Sequence, residues 1–138
     1  MTREELMTIL PHRDNMLLLD DAECEDGIST GHYKVRGDEF FLKGHFPGNP
    51  IVPGVILLEI LAQSACTLMS GHLKEGQLPV YTGLNNVKFR NPVKPGDLIT
   101  TSCHIKRAKH PFYFAEGTVK VGDKLCASAE FSFAVTGE

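Results

Sequence analysis

The sequence predicts an α+β domain in which a curved antiparallel sheet wraps one central helix. Val55 to Met69 is apolar at nearly every position, so a helix there must be enclosed rather than laid on a surface. Around it the pattern has period two, and the long alternating segments read as five or six antiparallel strands. One sheet covers only one side of a helix. The remaining face of this helix, with a sheet edge, is therefore predicted to be covered by a second copy of the chain.

In chain order, Thr2 caps a helix over Arg3 to Leu10, with Glu4 and Glu5 in its first turn, and Pro11 ends it. Met16 to Glu23 reads as an apolar strand, Glu25-Asp26-Gly27 as a hairpin turn, and Ser29 to Arg36 as the returning strand. Gly37 to Lys43 is irregular, with Phe40-Phe41-Leu42 packing over the entrance to the loop that follows. That loop, Gly44 to Gly54, is stiffened by Pro47, Pro50 and Pro53, which exclude it from helix and central strand. Pro53 suits a first helical position, where a missing N–H costs nothing. The helix closes at Gly71 or just beyond. Val80 to Phe89 is a strand, and residues 91–97 make a proline-braced turn. Ile99, Thr101, Cys103 and Ile105 then alternate with polar partners along the next strand. Tyr113 to Val121 pairs with Leu125 to Val135 across Gly122-Asp123, with Leu125, Ala127, Ala129, Phe131, Phe133 and Val135 on one face.

A length of 138 residues fits one domain, 1–138, and no repeat or linker divides it. The longest apolar run, around Val55 to Leu58, is far short of a membrane span, and the polar, acidic N-terminus is unlike a signal; a cytoplasmic protein is expected. Cys24, Cys66, Cys103 and Cys126 are scattered singly, as are the six histidines, so neither a disulfide framework nor a metal site is indicated. The net charge of −3 conceals an asymmetry. Residues 1–30 carry eight acids and two bases, whereas Lys88, Arg90, Lys94, Lys106, Arg107 and Lys109 face the single acid Asp97. This basic stretch suits a small acidic partner better than nucleic acid. Solvated outward strand faces account for it equally well.

Glu59 is the anomaly in the apolar helix. An ionised carboxylate is costly to bury without a partner, so it must be paired or hold its proton. With Gln63, Thr67 and Ser70 it forms one polar stripe, which faces either solvent or a polar patch elsewhere. His45 in the proline-rich loop is unremarkable alone. Joined to Glu59 and to Gly54, whose N–H opens a helix, it supplies an acid/base pair and an oxyanion donor.

Four segments resemble a known family. Leu10-Pro11-His12-Arg13, the run from Gly44-His45-Phe46-Pro47-Gly48-Asn49-Pro50 through Ile51-Val52-Pro53-Gly54-Val55, Leu58-Glu59 with Ala62-Gln63, and Asn86 to Asp97 look like the beta-hydroxyacyl-acyl-carrier-protein dehydratases of FabZ type. The likeness covers essentially the whole chain. Asp14-Asn15-Met16 departs from it, standing where the family more often has an aromatic and a proline. The resemblance implies a hot-dog fold, dimers and commonly trimers of dimers. It also implies an active site at the dimer interface, where His45 of one subunit meets Glu59 of the other. It implies as substrate a (3R)-hydroxyacyl thioester on acyl carrier protein, dehydrated to the trans-2-enoyl thioester in fatty acid biosynthesis, with no cofactor. In that setting His45 takes the C2 proton, the Gly54 N–H receives charge on the thioester oxygen, and a desolvated, protonated Glu59 donates to the departing hydroxyl or holds a water. Gln63 orients the carboxylate, and Gln63, Phe46, Pro53 and Phe89 are the substrate-binding candidates. Lys88, Arg90, Lys94, Lys106 and Arg107 are the candidates for docking the carrier, and His12 and Arg13 are structural or near the site. A dehydratase that also isomerises trans-2 to cis-3 enoyl thioesters, and a hot-dog thioesterase, are the alternative activities.

Overall fold

The computed structural model describes residues 1–69, 74 and 76–136. The elements in order are α1 (Arg3–Leu6), β1 (Asp21–Glu25), β2 (Ile28–Lys34), α2 (Gly54–Cys66), β3 (Leu78–Phe89), β4 (Leu98–Lys109), β5 (Phe112–Val121) and β6 (Lys124–Thr136). All six strands join one antiparallel sheet in the order β1-β2-β4-β5-β6-β3, and α2 lies across its inner face, packing most extensively on β4. The expected α+β arrangement of sheet around helix is the one observed.

Thr2 caps α1 in a reciprocal capping box with Glu5. The helix stops at Leu6 rather than Leu10 because the next amides, Thr8 and Ile9, bond three residues back instead of four. The expected strand from Met16 begins only at Asp21. Residues 14–16 form a 3₁₀ turn, and Leu17, Leu18 and Leu19 are fully buried without a strand partner. Gln63 substitutes for that partner: its Oε1 accepts the Leu18 N–H at 2.9 Å and its Nε2 donates to the Met16 carbonyl at 2.8 Å.

Helix α2 starts at Gly54, with Pro53 as its N-cap, and ends in a 3₁₀ turn over Thr67–Met69. Its inner side meets the sheet through a buried polar seam. Ser29 Oγ donates to the Ser64 carbonyl (2.8 Å) and pairs with Thr67 Oγ1 (2.7 Å), while Ser64 Oγ pairs with Thr101 Oγ1 (2.6 Å). The polar stripe below Glu59 therefore faces inward at Gln63 and Thr67, not to solvent; Ser70, and the helix closure at Gly71, lie outside the described residues. Gly31 makes the close approach possible, since a Cβ there would lie 2.5 Å from Ser64 Oγ. The opposite side of α2 is not covered: Val55 is 70% exposed, and Glu59 and Ala62, on the same face, are half-buried.

On β6 the inward row is Ala127, Ala129, Phe131, Phe133 and Val135, as expected, but Leu125 does not complete it. A bulge opposite Val119 and Lys120 inserts Cys126, which is buried in its place. All four cysteines are free thiols. Burial pushes the Cys66 and Cys103 thiols up to about 12. No helix of the described residues is long and apolar enough to cross a membrane.

Candidate functional site

His45 and Glu59 lie in different cavities of one copy. His45 borders a cleft of about 520 Å³ with Pro53, Gly54, Phe89 and Arg90. Its Nδ1 lies 3.0 Å from the Ile51 carbonyl, an acceptor only, so Nδ1 carries the hydrogen and Nε2 presents its lone pair. The loop that holds it is cross-braced: the Ile51 N–H returns to the His45 carbonyl at 2.7 Å, and Phe46 and Asn49 exchange both backbone bonds. Phe46, half exposed, stacks on the His45 ring with centroids 4.0 Å apart. Gly54 is the first residue of α2, so its N–H has no acceptor within the helix and stands at the positive end of the dipole. Phe89 lies over Gly54 so closely that a Cβ there would meet its ring at 2.7 Å.

Glu59 borders a second cavity of about 310 Å³ with His12, Gln63, Cys66, Tyr81 and Phe133. Its Oε2 accepts from Gln63 Nε2 at 2.9 Å and lies 3.2 Å from His12 Nε2. Burial works against its ionisation, but the His12 and Gln63 contacts outweigh it and hold the carboxyl below the usual carboxylate range. The expected bias of Glu59 toward its protonated form is thus reversed: Gln63 is the orienting partner the sequence predicts, and the His12 contact, which no sequence pattern signals, is the one the structure adds. Gln63 is fully buried, and both hydrogens of its amide are spent on Met16 and Glu59.

The basic residues are engaged in different ways. Arg90 borders the His45 cleft, and with Lys88 it lines a groove of about 560 Å³ on the outer sheet face. Lys94 sits in the 92–97 turn, where its N–H bonds the Asp97 carboxylate. Lys106 is paired with Glu130 at 2.7 Å and Glu116 at 3.7 Å, and the Arg107 guanidinium lies 4.2 Å over the Phe114 ring. His12 is the residue that sequence reasoning undervalued. Its only signal was its place in Leu10-Pro11-His12-Arg13, since nothing in the pattern links it to a helix so far along the chain.

The FabA-like domain family matches residues 10–130. A 3-hydroxyacyl-[acyl-carrier-protein] dehydratase FabZ of Caulobacter vibrioides is 41% identical over 133 residues, 93% of this chain and 84% of that protein. The protein of the same name from Thermoanaerobacter pseudethanolicus is 39% identical over 141 residues, 100% of this chain and 99% of its own. Among solved structures, the dehydratase heterocomplex ApeI:P from Xenorhabdus doucetiae superposes with a TM-score of 0.83 at 17% identity, covering 96% of this chain and 91% of that one. The fluoroacetyl-CoA thioesterase FlK gives 0.70 at 13% identity, with 85% and 90% coverage. At these identities the structural likenesses speak for the fold alone.

Proposed function

The chain belongs to the FabA-like domain family, and from that premise we propose that it is a 3-hydroxyacyl-acyl-carrier-protein dehydratase, a hydro-lyase of fatty acid biosynthesis. The observation that carries the reading is the His45 cleft: an imidazole whose Nε2 has no hydrogen-bond partner among the described residues, beside the first N–H of a helix. Those are the two groups that removal of a proton next to a thioester carbonyl requires.

In the proposed reaction His45 Nε2 takes a C2 proton while the Gly54 N–H bonds the thioester oxygen, on which negative charge grows. The electron pair released at C2 forms the C2–C3 double bond and the C3–O bond breaks. Glu59, held as a carboxylate, accepts a hydrogen bond from the 3-hydroxyl and keeps the leaving oxygen aligned. The proton gained by His45 goes to that oxygen, and water departs. Pro53 and Phe89 wall the cleft, Phe46 stacks on the His45 ring, and Gln63 acts through Glu59.

Because one copy holds the two residues in separate cavities, the complete site is proposed to take His45 from one subunit and Glu59 from another. The uncovered stripe of α2 and the exposed apolar residues Leu78, Val80 and Leu84 on the outermost strand β3 support a second copy at that place. A trimer of such dimers is a further proposal. Arg90, which borders the His45 cleft, Lys88, which shares the outer groove with it, and Lys94 are the proposed docking groups for an acidic carrier. Lys106 and Arg107 have neighbours that already engage their charge.

The test is an assay with a (3R)-3-hydroxyacyl thioester on acyl carrier protein. The trans-2-enoyl thioester is expected, and His45→Ala should lower the rate roughly 10²–10⁴-fold, the worth of a positioned acid/base group. Free fatty acid without any enoyl product would overturn the reading in favour of a thioesterase. A cis-3 product would add isomerisation to it.

A further inference from the structure

His12 is the one residue of the described chain that combines a contact to the candidate site with a buried polar atom lacking any partner. Its Nε2 lies 3.2 Å from Glu59 Oε2, while its Nδ1 is buried with no hydrogen-bond partner. Only two arrangements of one hydrogen are open to this ring. With the hydrogen on Nδ1, a donor would be buried without an acceptor and the Nε2 lone pair would face carboxylate oxygen. With the hydrogen on Nε2, it points at Glu59, and the orphan is a lone pair, the less costly group to leave unmatched.

The backbone that carries His12 is held rigidly. The Arg13 guanidinium donates to the Leu10 and His12 carbonyls at 2.7 Å each and to the Met7 carbonyl at 2.9 Å. This clamp fixes where the imidazole sits before any substrate arrives. Gln63 supplies the second donor to the same Oε2. Glu59 Oε1 receives no hydrogen bond from the described residues, and Glu59 borders the cavity it shares with Tyr81 and Phe133.

We propose that His12 is a positioning residue for Glu59: its Nε2–H, aimed by the Arg13 clamp, ties down one carboxylate oxygen and leaves the other for the substrate. The Leu10-Pro11-His12-Arg13 segment thereby acquires a role in setting the ionic state of Glu59. His12, through Glu59, enforces the division of labour in which His45 carries the proton and Glu59 only accepts. The inference rests on the dehydratase reading for its consequence in catalysis, but not for the His12–Glu59 link itself. The other titratable groups around Glu59 are Tyr81 from β3 and Cys66 from α2. Burial keeps both protonated, and the Tyr81 hydroxyl is spent on the Leu58 carbonyl at 2.6 Å.

The experiment uses the full chain with ¹⁵N-labelled histidine and ¹³C-labelled glutamate, and the variants His12→Phe and His12→Gln. Nitrogen spectra should show the His12 hydrogen on Nε2. The Glu59 carboxyl should titrate below the ordinary glutamate range in the wild type, and about one pH unit higher in His12→Phe. In the dehydratase assay, His12→Phe should lower kcat roughly 10²-fold with little change in KM, and move the acidic limb of kcat/KM upward. His12→Gln, whose amide can donate from nearly the place of Nε2, should restore both. A hydrogen on Nδ1, an unmoved Glu59 titration, or a His12→Gln variant as impaired as His12→Phe would overturn the proposal. An inactive wild type with the Glu59 shift intact would instead remove the dehydratase reading and leave the His12 link standing.

Discussion

Glu59 shows how a single hydrogen-bond inventory decides the character of a residue. A carboxyl on an apolar helix invites the conclusion that burial keeps it protonated, yet two donors on one oxygen reverse the balance. The consequence extends to stability. Because the folded carboxyl titrates below the ordinary 4.5 of the unfolded chain, its stabilising contribution is fully present above that pH. It is lost as pH falls from 4.5 through the lower folded value. Wild-type protein should therefore lose more stability across this acid window than Glu59→Gln, with urea unfolding at pH 6 and in the window as the measurement. Parallel losses in the two proteins would show that Glu59 gains nothing from its partners in the folded state.

At the scale of elements, alternation located β2, β4, β5 and β6 well because each of them turns one face inward toward α2 and the other to solvent along part of its length, whereas β3 has no buried residue. The same signal failed at Leu17 to Leu19, whose backbone is satisfied by a side chain of α2 and not by a neighbouring strand. Apolar content there reported burial correctly and said nothing of the ladder. It failed again at Cys126, since a bulge adds one residue without leaving a mark on the pattern. The site was legible as residue types, His45, Gly54 and Glu59, but not as an arrangement, because hydrogen-bond partners such as Ile51 and His12 obey no period. The seating of α2 was equally hidden, resting on Gly31 beneath Ser64 and Thr101. Gly31→Ala should destabilise the protein by about 1–3 kcal/mol, the usual cost of overpacking. Gly44→Ala, with open space around its Cβ position and no unusual backbone angle, should leave the urea midpoint unchanged. Equal midpoints for all three proteins would mean that the helix can move off the sheet without cost.

For the whole molecule, the two sheet edges differ in kind. β1 carries Asp21, Glu23 and Glu25, and charge on an edge discourages pairing with another chain. β3 is bonded only to β6 and exposes Leu78, Val80 and Leu84, so it is the edge suited to meet a copy of itself. The uncovered stripe of α2, with Glu59 in it, makes the same demand from inside the sheet. If each complete site draws His45 from one copy and Glu59 from the other, two inactive variants can repair one another. In a mixed dimer of His45→Ala with Glu59→Gln, one site combines both lesions and the other has neither. Random exchange of subunits after mild unfolding and refolding should make half of the dimers mixed, recovering about a quarter of wild-type activity from two inactive preparations. No recovery, with mixed dimers demonstrated by mass, would place both residues of each site in one chain and break the proposed geometry.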